Sequence, residues 1–246
     1  MNNFRADMHI HTVLSPCGDL SMSPVKIVDR AASIGLNVMG ITDHNSTHHG
    51  PVTRRLAEKR GIMVVYGAEV TTKEEVHCLC LFENDNQRIQ FQEFIDQNLP
   101  DIKNNPDFFG HQVVVNENEE ILDEIETLLI SGLNVGIDDI EKKVHQLDGL
   151  FIPAHIDRLK YSLVSQLGFI PKDLNYDALE ISKDTSIDKA RKDFSYIKNA
   201  RFIKSSDAHM LDQIGTSNTF LKMDNLSWNE LRMAILGIDD REIILS

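Results

Sequence analysis

The chain has 246 residues, 41% of them hydrophobic and 26% charged, enough for one large domain with a substantial core. No apolar run approaches the ~20 residues of a membrane span, and no basic segment followed by an apolar stretch opens the chain, so a transmembrane protein is excluded and a cytoplasmic location expected. A net charge of -13 disfavours long nucleic acid and leaves a small phosphorylated substrate open, because cations held by acidic side chains would cancel part of that charge.

The chain opens on a strand that ends in Asp7-Met8-His9-Ile10-His11. Alternate side chains of a strand face one way, so His9 and His11 can offer two imidazoles to one ion. Asp7, one step deeper, is expected on the same face, orienting an imidazole through its second nitrogen. In the following loop, Ser15-Pro16-Cys17-Gly18-Asp19, Asp19 could fold back over the site and add a carboxylate, while Cys17 reads as a small residue in a tight turn. Ser23 and Pro24 form an N-cap and first helical residue, the helix runs to Ile34, and Gly35 stops it.

Val38 to Ile41 is an apolar strand leading into Thr42-Asp43-His44-Asn45, and Ile62 to Tyr66 leads into Gly67-Ala68-Glu69-Val70. A carboxylate has two oxygens and can bridge two cations, which makes Glu69 a natural centre for a multinuclear site. His48 and His49 stand in a polar segment and are expected to be solvated, and His111 and His145 to be structural or surface residues. His77 begins the run Val76 to Phe82. Helices are expected over 52–60, 87–97, 119–130, 139–147 and 187–198, and the irregular stretch 99–118, with Pro100, Pro106 and Gly110, reads as an excursion.

The strand Leu150 to Ile152 runs into Pro153-Ala154-His155, and Arg158 follows with a guanidinium suited to gripping a phosphate oxygen. Lys183, just past the strand Ala178 to Ile181, is a second candidate for that role. A last strand, Arg201 to Lys204, runs into Ser205-Ser206-Asp207-Ala208-His209, and Ser227 to Glu230 has capping-box spacing. Cys17, Cys78 and Cys80 supply neither a disulfide framework nor a Cys-x-x-Cys zinc pair. Each histidine alone reads as packed or surface; what matters is their recurrence with carboxylates at successive strand ends, where α/β folds collect active-site groups.

Taken in order, Asp7-x-His9-x-His11, Thr42-Asp43-His44-Asn45, Pro153-Ala154-His155 and Ser206-Asp207-Ala208-His209, with Glu69 and His77 between them, resemble the PHP (polymerase and histidinol phosphatase) family, in its stand-alone bacterial phosphoesterase branch. The resemblance implies an α/β fold, a distorted (β/α)7 TIM-like barrel forming one catalytic domain over 1–246, with three divalent metal ions (zinc, manganese or iron) at its C-terminal face. By position it implies one metal on His9, His11, Glu69 and Asp207, a second on Glu69, His77 and His155, and a third on Asp19, His44 and His209. Catalytic roles would fall on Asp7, Glu69 and His44. The implied activity is hydrolysis of a small phosphoester by a metal-activated hydroxide; the alternatives are a hydrolase of short oligonucleotides and a metal-bearing binding protein without turnover.

Overall fold

The computed structural model describes residues 1–197 and 200–245. In chain order the elements are β1 (Asn2–Ile10), α1 (Pro24–Ser33), β2 (Val38–Ile41), α2 (Gly50–Glu58), β3 (Met63–Thr71), β4 (His77–Phe82), α3 (Asp85–Asn98), α4 (Pro106–Phe109), β5 (Val113–Val115), β6 (Ile121–Glu124), α5 (Ile137–Gln146), β7 (Leu150–Pro153), α6 (Leu163–Leu167), β8 (Leu179–Ile181), α7 (Ile187–Asp193), β9 (Phe202–Lys204), β10 (Thr219–Met223), α8 (Trp228–Leu236) and β11 (Glu242–Ile244). The helix expected over 187–198 ends at Asp193, and Lys198 lies outside the described residues.

One sheet runs β11-β10-β1-β2-β3-β4-β7, and β8 and β9 form a parallel pair. The pair closes the ring. On one side Asp177 N donates to Phe151 O at 3.0 Å and Ile156 N to Glu180 O at 2.9 Å; on the other Ile10 bridges Ala208 and His11 N donates to Ala208 O at 3.0 Å. The result is a distorted TIM-like barrel of strands β1, β2, β3, β4, β7, β8 and β9. It is not wholly parallel: β4 runs against both β3 and β7. Residues 72–76 are too few for a crossover helix, so β3 and β4 can only form a hairpin.

Side chains such as Met8, Val65, Leu79, Leu81 and Ile152 form one buried cluster within the ring, while Ile27, Val28 and Ala31 of α1 pack on Ile10, Met39 and Ile41. Full burial of a residue such as Ile27 contributes about 1.5–3 kcal/mol. At its start α1 is held by the Ser23 hydroxyl, which accepts from Lys26 N, and Gly35 leaves it at φ +71°.

Between Asp7 and Ile10 the β1–β2 register shifts, two residues opposing one at Gly40. A side chain at residue 40 would bring a Cβ to 2.3 Å from Met8 O, so the close approach needs glycine. This bulge breaks the alternation that would have put Asp7 and His9 on one face.

The helix expected over 119–130 is absent; β6 pairs with β5 there, and the chain continues extended. Side-chain amides take the backbone groups a helix would use. Buried Gln112 donates to Ile125 O (2.7 Å) and Thr127 O (2.8 Å) and accepts from Leu129 N (2.9 Å), and Asn45 donates to Leu129 O (2.6 Å) and Ser131 O (2.8 Å). Through Asn45 this segment is pinned to the loop after β2.

On α5, His145 lies 3.0 Å from Asp177 and 2.5 Å from Glu141, and Asp177 also accepts from Phe151 N. Asp177, helped by Glu141, holds the imidazole above its ordinary pKa. A raised folded value means the clamp stabilises fully below the unfolded pKa of about 6.5 and is lost as pH rises through the folded one. Thermal melts of His145→Gln should show a deficit of roughly 1–2 kcal/mol at mildly acid pH that closes toward alkaline pH; a deficit independent of pH would contradict the clamp.

Candidate metal centre

Six imidazoles and two carboxylates converge at one end of the barrel: His9 and His11 from the end of β1, His44 after β2, Glu69 on β3, His77 at the start of β4, His155 after β7, and Asp207 and His209 after β9. The antiparallel direction of β4 explains His77, whose position at a strand start lies level with the C-terminal ends of its neighbours β3 and β7. Asn45, His155 and Asp207 hold positive φ (+45°, +28° and +51°), a conformation costly for such residues and typical of functional sites.

His9 Nε2 and His11 Nε2 lie 3.1 Å apart. Glu69 Oε1 is 3.3 Å from His9 Nε2, Glu69 Oε2 is 3.4 Å from His11 Nε2, and Asp207 Oδ1 stands 3.3 and 3.2 Å from the two nitrogens. Donors held about 2.0–2.1 Å from a tetrahedral ion stand about 3.3–3.4 Å from one another, so these atoms have the spacing of a zinc-sized cradle. Glu69 extends it. Its Oε1 is also 3.0 Å from His77 Nδ1 and 3.1 Å from His155 Nε2, and its Oε2 is 3.2 Å from His44 Nδ1. His44 Nδ1 is buried without a hydrogen-bond partner, which leaves its lone pair for a cation. A further group of donors comprises His11, His44 and His209.

Burial works against the charge of Glu69, but His77, His9 and His44 outweigh it and hold the carboxyl well below its usual range; Asp207 is held down likewise by His9 and His11. Burial depresses His9 and His11, yet facing carboxylates raise both, Glu180 and then Asp207 acting on His9, and Asp207 with Glu69 lifting His11 to about 9. Burial pushes His44 well down, and burial with the His11 imidazole pushes His209 down to about 4. His44 and His209 are thus neutral imidazoles, which beside ionised carboxylates are donors that divalent first-row ions take, whereas a cation at His9 and His11 would displace a proton from each.

Several placements differ from the sequence expectation. Asp7 is fully buried, but its carboxylate accepts from Ser206 N (3.0 Å) and Gly215 N (2.9 Å) instead of an imidazole, and burial pushes its pKa up to about 6 despite those bonds. The bulge after Asp7 is the cause. The group that orients an imidazole is Glu180, whose Oε2 accepts from His9 Nδ1 at 3.0 Å and from His155 N at 3.1 Å. An acid inside the apolar strand Ala178-Leu179-Glu180-Ile181 was the available signal. Asp19 is exposed and caps Ser21 N at 2.8 Å; the side chain beside His209 is Cys17, with Sγ 3.1 Å from Nε2. Arg158 Nη1 donates to Asp207 Oδ2 at 2.5 Å. Lys183 is exposed, its carbonyl accepts from Lys204 Nζ, and its own ammonium makes no ion pair among the described residues. Tyr161 stacks on the His77 ring at 4.8 Å.

A family model described as PHP domain matches residues 7–166. The uncharacterized protein YqxK of Bacillus subtilis (strain 168) is 34% identical over 119 residues, 46% of this chain and 29% of that protein. Among solved structures, the lesion-specific endonuclease PfuEndoQ from Pyrococcus furiosus superposes with a TM-score of 0.77 at 22% identity, over 99% of this chain and 58% of its own. A Bifidobacterium adolescentis protein described as a metal-dependent phosphoesterase gives a TM-score of 0.61 at 15% identity, over 83% of this chain and 87% of its own. At those identities the two structures speak for the fold, and the chain spans less than two thirds of both the Bacillus protein and the endonuclease. The family match begins at Asp7 and ends at Gln166, well over half of the sequence, and the chain belongs to the PHP domain family.

Proposed function

We propose that the protein hydrolyses a small phosphoester with three divalent cations held at the barrel rim. The observation that carries this reading is the approach of the His9, His11, Glu69 and Asp207 donor atoms to one another, with nitrogen–nitrogen and nitrogen–oxygen distances of 3.1–3.4 Å, and the reach of Glu69 on to His77, His155 and His44. The residues present fit one ion on His9, His11, Glu69 and Asp207, a second on Glu69, His77 and His155, and a third on His44 and His209, where Cys17 takes the place expected of Asp19. Bound there, such ions supply Lewis acidity toward phosphate oxygens and an acidified water. The chain's own groups orient the donors: Glu180 holds His9 through Nδ1, and the Asp207 carbonyl accepts from His209 Nδ1 at 2.9 Å.

Metal analysis of the purified protein, coupled to a phosphoester screen with added zinc, manganese or iron, tests the proposal. Phosphate release from monoesters is the expected result; a folded, metal-loaded protein inert across the panel would point to a binding role instead. Hydrolysis of short oligonucleotides is the second reading, favoured by the fold shared with a lesion-specific endonuclease. Oligonucleotides cut faster than mononucleotides would establish it, and inert oligonucleotides would remove it.

Arg158 is the group this reading assigns to the phosphate. Its side chain is 40% exposed, and one Nη1 bond to Asp207 leaves other guanidinium donors free. Arg158→Ala is expected to raise KM about tenfold, the equivalent of roughly 1.4 kcal/mol, without changing metal content. Metal loss with an unchanged KM would instead make Arg158 a tether for Asp207.

A further inference from the structure

Behind His11 runs a buried chain of hydrogen bonds whose direction can be followed atom by atom. Val115 on β5 donates its backbone N–H to His49 Nε2 at 2.9 Å. A nitrogen that accepts from an amide carries no proton, so His49 carries its proton on Nδ1, 2.5 Å from Thr12 Oγ1. Thr12 Oγ1 accepts that proton and the Leu14 N–H at 3.1 Å, and gives its own to Asp43 Oδ2 at 2.8 Å. Asp43 Oδ1 accepts from Thr12 N and from Ser15 Oγ, both at 2.7 Å. Having given its one proton, Ser15 Oγ has two lone pairs left. One takes His44 N at 3.2 Å, and the other faces His11 Nδ1 at 3.0 Å. That nitrogen must therefore donate, which leaves Nε2 as the nitrogen His11 turns to Glu69 and Asp207.

Both hydroxyls thus use their full capacity of one donor and two acceptors, and every proton between His49 and His11 points toward Asp43. His49, expected from its polar neighbours to be solvated, is 0% exposed, as are Thr12 and Ser15. The excursion touches the same loop again at Gly110, where a Cβ would lie 2.4 Å from Pro16 O.

We infer that Asp43, Thr12 and His49 are positioning residues that fix the tautomer and ring orientation of His11 and tie them to the backbone of the β5–β6 hairpin. The inference rests on the proposed reading of His11 as a cation ligand. It makes the hairpin a structural support of the metal site instead of a passive insertion, since a shift of Val115 would release His49 from one side.

Nitrogen-15 NMR of the metal-free protein reads the His49 tautomer without reference to any metal, and zinc titration against a chelator reads the His11 site. The expected results are a proton on His49 Nδ1, and zinc affinity lowered roughly 10–100-fold in Thr12→Val and His49→Leu. His49→Gln, which can accept from Val115 N and donate to Thr12, should recover most of that loss. Thermal melts of each variant identify any that fail to fold, and Thr12→Val is close to isosteric. A proton on His49 Nε2, wild-type zinc affinity in folded Thr12→Val and His49→Leu, or a Gln variant as weak as Leu would overturn the inference. Failure of wild-type protein to bind zinc, manganese or iron while His49 keeps the expected tautomer would instead sink the metal reading, and the positioning role with it.

Discussion

Glu69→Ala is expected to lower phosphoester turnover by roughly two to three orders of magnitude at saturating metal, the scale of losing a preorganised charge in an active site. Its two oxygens stand within 3.0–3.4 Å of five imidazole nitrogens, and among the described residues no second carboxylate spans those groups. Removing it takes one donor from the His9–His11–Asp207 set and the shared donor from His77 and His155 together. Glu69→Gln separates charge from shape, because the amide fills the same volume while its nitrogen repels a cation. Both variants should lose bound metal as measured by elemental analysis, and neither should recover at higher metal concentration. Near-wild-type turnover in Glu69→Gln would show that the carboxylate is not the bridge.

The histidines at strand ends were legible because their signal is local: an apolar run, then polar groups, recurring at His11, His44, His155 and His209. Glu69 was legible only through that recurrence, and His77, at the start of its run, only through the family resemblance. What escaped the sequence depends on contacts between distant segments. Asp7 lost its expected face to a bulge whose cause, the approach of Gly40 to Met8 O, lies on another strand. Asp19 and Cys17 exchanged expected places because turn geometry, not side-chain chemistry, decides which of two neighbours meets His209. Helical spacing over 119–130 was overridden by Gln112 and Asn45, one just before β5 and one in the loop after β2. Likewise, the barrel was legible in the alternation of strands and helices, whereas the reversed direction of β4 follows from the brevity of residues 72–76.

Glu180 carries the second large expectation. Its Oε2 accepts both from His9 Nδ1 and from the backbone N–H of His155, so one carboxylate fixes two candidate ligands that arrive from β1 and β7. His155 sits at φ +28°, and its N–H donates to Glu180. Glu180→Ala should therefore lower metal affinity roughly 10–100-fold, as loss of a group behind a ligand imidazole does, and destabilise the fold by about 1–3 kcal/mol through an unpaired buried donor. Unlike the loss at Glu69, this one should be recovered in part by excess metal, because the donors themselves remain. Glu180→Gln, with its amide oxygen in the place of Oε2, keeps an acceptor for both N–H groups but loses the charge, and should fall between. Activity measured against metal concentration distinguishes the cases: a rightward shift with a preserved maximum identifies a positioning carboxylate, a depressed maximum that excess metal leaves unchanged identifies a direct role in turnover, and an unshifted curve would deny Glu180 any part in the site.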